Sequence, residues 1–322
     1  MSDFFSLYSH EFLRLACCVP RTRVADAPFN LAETLRLAAE GDKAGAALMV
    51  FPELGLSSYA IEDLLLQDAL LDEVERSIAE VVKASKKLNP VLIVGAPLRV
   101  RGRLYNTAIV VHRGAVLGVV PKIYLPNYRE FYEKRHFVSG ANVLEPEIGL
   151  AGQTVPFGTD FLFRSTGSVP FTFHVEICED IWVPVPPSSH AALAGAEVLV
   201  NLSASNITIG KAETRRLLCG SQSSRGVAAY AYSASGAGES TTDLAWDGHA
   251  AIFECGDQLA ESERFAKDSV TIQADIDLGR IRQERLRYNA FADCAANEGA
   301  RVTRFRALEF QLDAPKKSVE LH

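Results

Sequence analysis

Apolar positions switch along the chain between a period near two and a period near 3.6, and the switches mark out the elements. Residues 11–19 alternate loosely and predict a first strand. Residues 28–44 carry Leu31, Leu35, Ala38 and Ala39 at helical spacing, with Asn30 as the expected N-cap. A continuous apolar run at 46–51 reads as a buried strand and stops at Pro52-Glu53. Residues 60–87 are helical in pattern, and 91–100 form a strand. Two further strands, 105–112 and 115–120, are set off by turns at Arg101-Gly102-Arg103 and Arg113-Gly114, which makes an antiparallel meander. A polar and aromatic stretch runs from Tyr124 to about Glu147. Its length and aromatic content predict a packed, functional loop.

The second half repeats the order of elements without visible sequence similarity to the first. Strands are predicted at 171–177, 196–202, 227–233 and 270–276, and helices at 188–194, 211–225 and 277–289. A hairpin over 247–265 turns at Gly256-Asp257. Strand, helix, strand, helix, twice over, implies two sheets each faced by helices. The fold class is therefore α/β, a four-layer α-β-β-α sandwich.

Three of the predicted strands end on reactive groups. Pro52-Glu53 follows the run at 46–51, Pro121-Lys122 follows 115–120, and Cys178-Glu179-Asp180 follows 171–177. A thiol can attack a carbonyl, a carboxylate can move its proton, and an amine can hold the negative charge that develops. Each residue also has an ordinary reading: Glu53 as a solvated acid or helix cap, Lys122 as an edge lysine, Cys178 as a buried structural thiol. Their joint placement at strand ends is what suggests chemistry. A period of two puts Phe171, Phe173, Val175 and Ile177 on one face and His174, Glu176 and Cys178 on the other. His174 would lie roughly 13 Å from Cys178 along such a strand, too far for a Cys-His pair. The remaining cysteines (Cys17, Cys18, Cys219, Cys255, Cys294) stand in apolar or nondescript contexts.

Bulk properties narrow the field. With 322 residues, 48% apolar and 23% charged, the composition is that of a globular chain with ample core. A net charge of -7 argues against nucleic acid as the main partner. No CxxC pair is present, so no metal is expected, and scattered free thiols suit a reducing, cytoplasmic setting. No apolar run is long enough to span a membrane, and the N-terminus lacks the pattern of a secretory signal. Phosphate-loop motifs are absent.

Taken together, Glu53, Lys122 and Cys178 give the chain a resemblance to the nitrilase/carbon–nitrogen hydrolase superfamily over nearly its whole length. Three segments narrow it: the loop Asn127-Tyr-Arg-Glu-Phe-Tyr-Glu after Lys122, Asn201-Leu-Ser-Ala-Ser-Asn-Ile-Thr-Ile-Gly-Lys, and Gly238-Glu-Ser-Thr-Thr-Asp-Leu-Ala-Trp-Asp-Gly. These resemble the N-terminal glutaminase domains of the glutamine-dependent NAD synthetases.

The resemblance implies that Cys178 attacks the side-chain amide of L-glutamine, with Glu53 as general base and acid. Lys122 and the Glu179 N–H would hold the oxyanion. Glu133, or failing that Glu130, matches a supporting acid; Tyr128, Glu179, Ser205 and Lys211 match positions that bind glutamine. Lysine at 211 departs from the arginine of some relatives and loses its bidentate fork.

No cofactor is implied for this domain (residues 1–300). ATP and Mg2+ would serve a synthetase domain that is not in this sequence, and residues 301–322 resemble the start of a linker towards it. A homo-oligomer is expected from the same resemblance. The alternatives are a free-standing amidase or carbamoylase acting on a small amide, and an interaction module with an inert Cys178.

Overall fold

The structure, a computed structural model, describes residues 4–315 and 317–321. Met1–Asp3, Lys316 and His322, which belong to the expected domain and tail, lie outside the described residues.

In chain order the strands of the first half are β1 (Phe12–Val19), β2 (Leu48–Val50), β3 (Val91–Val100), β4 (Arg103–His112), β5 (Ala115–Pro121), β6 (Glu147–Leu150) and β7 (Gln153–Pro156). Those of the second half are β8 (Phe161–Ser165), β9 (Thr172–Ile177), β10 (Val198–Ser203), β11 (Ala229–Ala234), β12 (Ala250–Glu254), β13 (Asp257–Glu261), β14 (Val270–Asp277) and β15 (Arg306–Phe310). They form a six-stranded sheet in the order β14-β1-β2-β3-β4-β5, a seven-stranded sheet in the order β13-β12-β11-β10-β9-β8-β15, and the small hairpin β6-β7.

Helices α1 (Ala27–Lys43) and α2 (Asp68–Ser85) cover the outer face of the first sheet, where Leu37, Val74, Ile78 and Val81 pack on Met49, Leu92 and Val94. Helices α3 (Pro187–Leu193) and α4 (Lys211–Gly226) cover the second, where Ala191, Ala192 and Cys219 meet Leu199, Tyr230 and Phe253. Between the sheets, Leu13, Leu15, Val50 and Ile93 meet Phe173, Val175, Val198 and Ala231. Four layers result because each central strand is buried on both faces, as its near-continuous apolar run requires.

Strand direction positions the chemistry. β1, β2 and β3 are mutually parallel, as are β9, β10 and β11. Two antiparallel steps, β3 to β4 and β4 to β5, return β5 to the direction of β2. The carboxyl ends of β2 and β5 therefore open at the same edge of their sheet. The backbone N–H of Glu53 reaches across to Ser203 O, at the end of β10, at 3.3 Å, so the corresponding end of the second sheet meets them there.

Several expectations are corrected. Asn30 is not a cap: Asp26 accepts the Phe29 N–H at 3.1 Å, while Asn30 is buried and bonds Arg23 and Leu56. The helical pattern at 60–87 is broken at Gln67, whose extended backbone separates a 3-10 turn (Glu62–Leu66) from α2. The hairpin β6-β7, strand β8 and the short helix α6 (Asn289–Asn297), which follows α5 (Leu278–Arg287), were not anticipated.

Part of the stretch read as a tail is sheet: β15 pairs in parallel with β8, and Phe310 packs 6.1 Å from the Phe173 ring. Val319 O and Glu320 O accept bonds from Leu7 and Arg14. No helix among the described residues is long and apolar enough to cross a membrane.

Candidate active site

Glu53 sits just past β2 on a loop that lies flat over β3. Gly95 makes that approach possible, since a Cβ there would meet Pro52 O at 2.5 Å as well as the Leu54 nitrogen. The Glu53 side chain is fully buried. Its Oε1 accepts from Lys122 Nζ at 2.6 Å and from Asn106 Nδ2 at 2.6 Å, and its Oε2 accepts the Ala204 N–H at 2.7 Å. A buried carboxylate is tolerated only when its lone pairs are taken up, and three donors do so here.

Lys122 follows β5 and is held by its own backbone: its N–H donates to Asn106 O and its O accepts from Gly140 N–H, both at 2.8 Å. Its ammonium is shared between Glu53 and Glu133 Oε1, the latter at 2.7 Å. Burial opposes the charge, but Glu133 and Glu53 outweigh it and hold the ammonium well above the ordinary lysine value. Glu133, which is buried, opens a 3-10 turn (Glu133–Arg135) inside the long loop, although Tyr124, Tyr128 and Tyr132 of that loop are exposed and not packed as its aromatic content had suggested. Burial pushes the Glu133 carboxyl up to about 7, against the pull of Lys122. Glu130, the other acid considered for this place, accepts instead from Asn206 Nδ2 at 2.7 Å.

Cys178 departs from the predicted alternation. β9 ends at Ile177, and Cys178 begins a 3-10 turn (Cys178–Ile181) with φ at 46°, the left-handed region. That reversal turns the thiol away from the face of His174 and Glu176 into the inter-sheet core beside Ile177. Two contacts secure the turn. Asn201 Oδ1 accepts the Cys178 N–H at 3.2 Å, and the Asp180 carboxylate accepts Ile177 N–H and Tyr124 N–H, each at 2.9 Å.

His174 is no part of the site. Its Nδ1 pairs with Phe161 O, its ring packs on Phe305, and burial drops its pKa to about 4. Glu176 pairs with Tyr230 and Ser188. The Cys178 thiol is raised well above its usual value, first by burial and next by the negative charge of Glu53, with Lys122 opposing. It therefore rests protonated and needs a base to act as a nucleophile.

A cleft of about 530 Å3 opens above Cys178, lined also by Tyr128, Phe131, Glu179, Trp182, Ser205 and Lys211. Tyr128 donates to Glu179 Oε1 at 2.8 Å. Lys211 reaches Asn206 Oδ1 and lies over the rings of Phe131 and Trp182 at 5.3 and 5.4 Å. Burial lowers the Lys211 ammonium and raises the Glu179 carboxyl. The Ser205 hydroxyl is buried and has no hydrogen-bond partner among the described residues. Two cationic residues, Lys211 and Arg129, and two carboxylates, Glu179 and Glu130, thus line a cleft with a thiol in its wall.

Glu53, Lys122, Glu133, Glu130, Tyr128, Cys178, Glu179, Ser205 and Lys211 thus lie near one another at this edge of the sandwich, whereas His174 does not. Asn106, Asn201, Asp180, Tyr59 and the Ala204 N–H were not singled out. For the two asparagines the only sequence signal is polarity inside largely apolar strands, and Tyr59 and Ala204 carry none.

The carbon-nitrogen hydrolase family profile matches residues 14–286, and the chain belongs to that family. It is 54% identical over 319 residues to the glutamine-dependent NAD(+) synthetase of Mycobacterium tuberculosis, a match covering 99% of this chain and 47% of that protein. It is 32% identical over 240 residues to the enzyme of the same name from Aquifex aeolicus, covering 74% and 38%. The chain thus spans about half, or less, of the length of these relatives.

Among solved structures, a glutamine-dependent NAD(+) synthetase from Cytophaga hutchinsonii superposes with a TM-score of 0.74 at 26% identity, covering 82% of this chain and 43% of that one. An amidase of the nitrilase superfamily from Nesterenkonia shares the fold, with a TM-score of 0.65 at 19% identity over 88% of this chain and 95% of that one.

Proposed function

We propose that this chain is a glutaminase: it hydrolyses L-glutamine to glutamate and ammonia through a thioester on Cys178. The observation that carries this reading is the cleft beside Cys178, where Glu179, Lys211 and the unpartnered Ser205 hydroxyl stand together. A zwitterionic amino acid needs a carboxylate for its ammonium and a cation for its carboxylate, and a simple amide needs neither.

In the proposed cycle the Cys178 sulfur bonds to the side-chain carbonyl carbon of glutamine. Its proton passes to Glu53, and the carbonyl electron pair moves to oxygen. Lys122 and the Glu179 N–H stabilise that oxyanion. The Cys178 N–H is occupied by Asn201, whereas the Glu179 N–H stands at the start of its turn, where the turn offers no acceptor. Collapse of the intermediate expels ammonia with the proton from Glu53. Water, activated by Glu53, then adds to the thioester carbon and releases glutamate and the thiol.

By similarity to the synthetases named above, the ammonia is proposed to amidate nicotinic acid adenine dinucleotide. That step would use ATP and Mg2+ in a partner domain of a homo-oligomeric, cytoplasmic enzyme.

The test is ammonia release from L-glutamine by the wild type and by Cys178→Ala, with propionamide in parallel. Release from glutamine that Cys178→Ala abolishes supports the reading. Equal rates in the two proteins, or a preference for propionamide, would overturn it.

A further inference from the structure

Tyr59 stands outside the Glu53–Lys122–Glu133 cluster and yet reaches into it. Its hydroxyl donates to Glu133 Oε1 at 2.7 Å, the same oxygen that accepts from Lys122 Nζ. Glu133 Oε2 is buried and has no hydrogen-bond partner among the described residues. One oxygen of this carboxylate is therefore doubly engaged and the other is bare. A proton reaching Glu133 would settle on Oε2, and the two donors on Oε1 oppose its arrival because they favour the charged form.

Tyr59 is itself fixed from behind. Both oxygens of Glu239 accept its backbone N–H at 3.0 Å, and one of them also takes the Ala60 N–H at 3.3 Å. Glu239 is buried, and burial raises its carboxyl to about 7. Ser58, just before, has φ at 73° and donates its hydroxyl to Arg23 O at 2.9 Å. The Tyr59 ring meets Trp246 edge-on at 5.5 Å. Tyr59 also belongs to the loop that carries Glu53. One loop therefore delivers both the base and the hydroxyl that grips the acid on the far side of Lys122.

We propose that Tyr59 is a positioning residue that holds Glu133 as the second anionic partner of Lys122, so that the ammonium is divided between two carboxylates and Glu53 is left free to take the thiol proton. The inference rests on the glutaminase reading. With Glu133 neutral, Glu53 is the one anion left to Lys122, and the ammonium is drawn onto the carboxylate that has to take the thiol proton.

The groups acting on Glu133 come from several elements. Lys122 follows β5, Glu53 and Tyr59 share the loop after β2, and Cys178 follows β9. Glu62, Glu130, His136 and Asp243 line the small cavity on its other side. Burial is the largest influence on Glu133 and raises it, while Lys122 and the Tyr59 hydroxyl pull the other way.

Tyr59→Phe removes the donor and keeps the ring. The acid limb of the kcat profile for L-glutamine is expected to move up by about one pH unit. On that limb kcat falls about tenfold, and at alkaline pH it returns to the wild-type value, with KM changed by less than about twofold. A loss of the same factor at every pH would mark a merely structural contribution and overturn the proposal. Alkylation of Cys178 by iodoacetamide over the same pH range reads the cluster without glutamine. If the wild type fails to release ammonia from glutamine, the glutaminase reading falls alone; an upward-shifted alkylation profile in Tyr59→Phe still supports the role of Tyr59, and an unshifted one overturns it.

Discussion

The side chain of Asn201 brackets the backbone of Cys178: Oδ1 accepts the Cys178 N–H at 3.2 Å, and Nδ2 faces the Cys178 carbonyl oxygen at 3.4 Å. Ser203 Oγ donates to the same Oδ1 at 2.7 Å and fixes which way the amide points. Cys178 has no side-chain reason to adopt a left-handed φ, which for a residue other than glycine is strained by about 1–3 kcal/mol. The amide of Asn201 holds it there. Asn201→Ala removes both bonds and leaves two buried backbone groups unpaired, a loss of about 2–3 kcal/mol in unfolding free energy. Glutaminase kcat should fall about a hundredfold as the thiol relaxes from its attack position. Denaturant unfolding and steady-state kinetics on one preparation check both numbers.

Lys122 lies between two buried carboxylates, so removing it does more than delete an oxyanion donor. In Lys122→Met, Glu53 and Glu133 face each other without a cation in a dry pocket, which is expected to cost about 3–5 kcal/mol. Adding Glu133→Gln removes one of the two stranded charges, and the double variant should recover part of that stability. Activity should not recover. Turnover of Lys122→Met should fall about a hundred- to a thousandfold with little change in KM, because the charge on the substrate oxygen develops in the transition state. Melting temperatures of the wild type, Lys122→Met and the double variant separate the two effects. A double variant no more stable than Lys122→Met would contradict the stranded-charge account.

The parts of this site that were legible in the sequence are those where an apolar run stops abruptly on a charged or reactive residue. Pro52-Glu53, Pro121-Lys122 and Ile177-Cys178 are of this kind, and each marks the carboxyl end of a strand. The four-layer sandwich was legible for a related reason, since its central strands are mostly apolar. Asn106 and Asn201 were not legible: each is a polar residue inside a largely apolar strand, and its role depends on a loop from another part of the chain. The orientation of Cys178 was misread because alternation carries no sign of a positive φ. Strand β15 was missed because Arg306 and Glu309 interrupt its apolar pattern, as suits an edge strand that buries Phe310 and leaves much of the rest exposed.

Gly95 is the least conspicuous residue on which Glu53 depends. It lies in the middle of β3, where alanine would be the ordinary choice, yet the added methyl would press on the backbone at Pro52 and Leu54. The neighbours are main chain, so the loop itself must shift. Gly95→Ala should displace Glu53 from Lys122 and Ala204, lowering kcat by about a hundredfold for a shift on the order of 1 Å. Circular dichroism should remain native, because the clash is confined to one loop. The same substitution at Gly102 or Gly152, where no atom lies within 4 Å, serves as a control for crowding, although both have positive φ and pay a conformational term.

Three buried carboxyls make stability fall on the alkaline side. Burial raises Glu133 from 4.5 to about 7, Glu239 from 4.5 to about 7 and Asp180 from 3.8 to about 8. A carboxyl whose folded value lies above its unfolded value stabilises the fold fully below the unfolded value. That contribution is lost as pH rises through the folded one. Buried histidines act in the opposite sense. His174, lowered by burial from 6.5 to about 4, contributes above pH 6.5 and loses its contribution as pH falls towards 4. Between pH 6.5 and 8.5 the histidine contribution only rises, completing within about one pH unit, so any decline over the interval comes from carboxyls raised by burial. Unfolding free energy should decline over that interval, with Glu133 responsible for about 1 kcal/mol of the fall. Glu133→Gln keeps an acceptor for Lys122 and Tyr59 at Oε1 and places its amide where Oε2 has no partner. Its stability should therefore be closer to constant across the interval. Denaturant titrations of the two proteins at pH 6.5 and 8.5 measure the difference, and parallel declines would show that Glu133 does not titrate in this range.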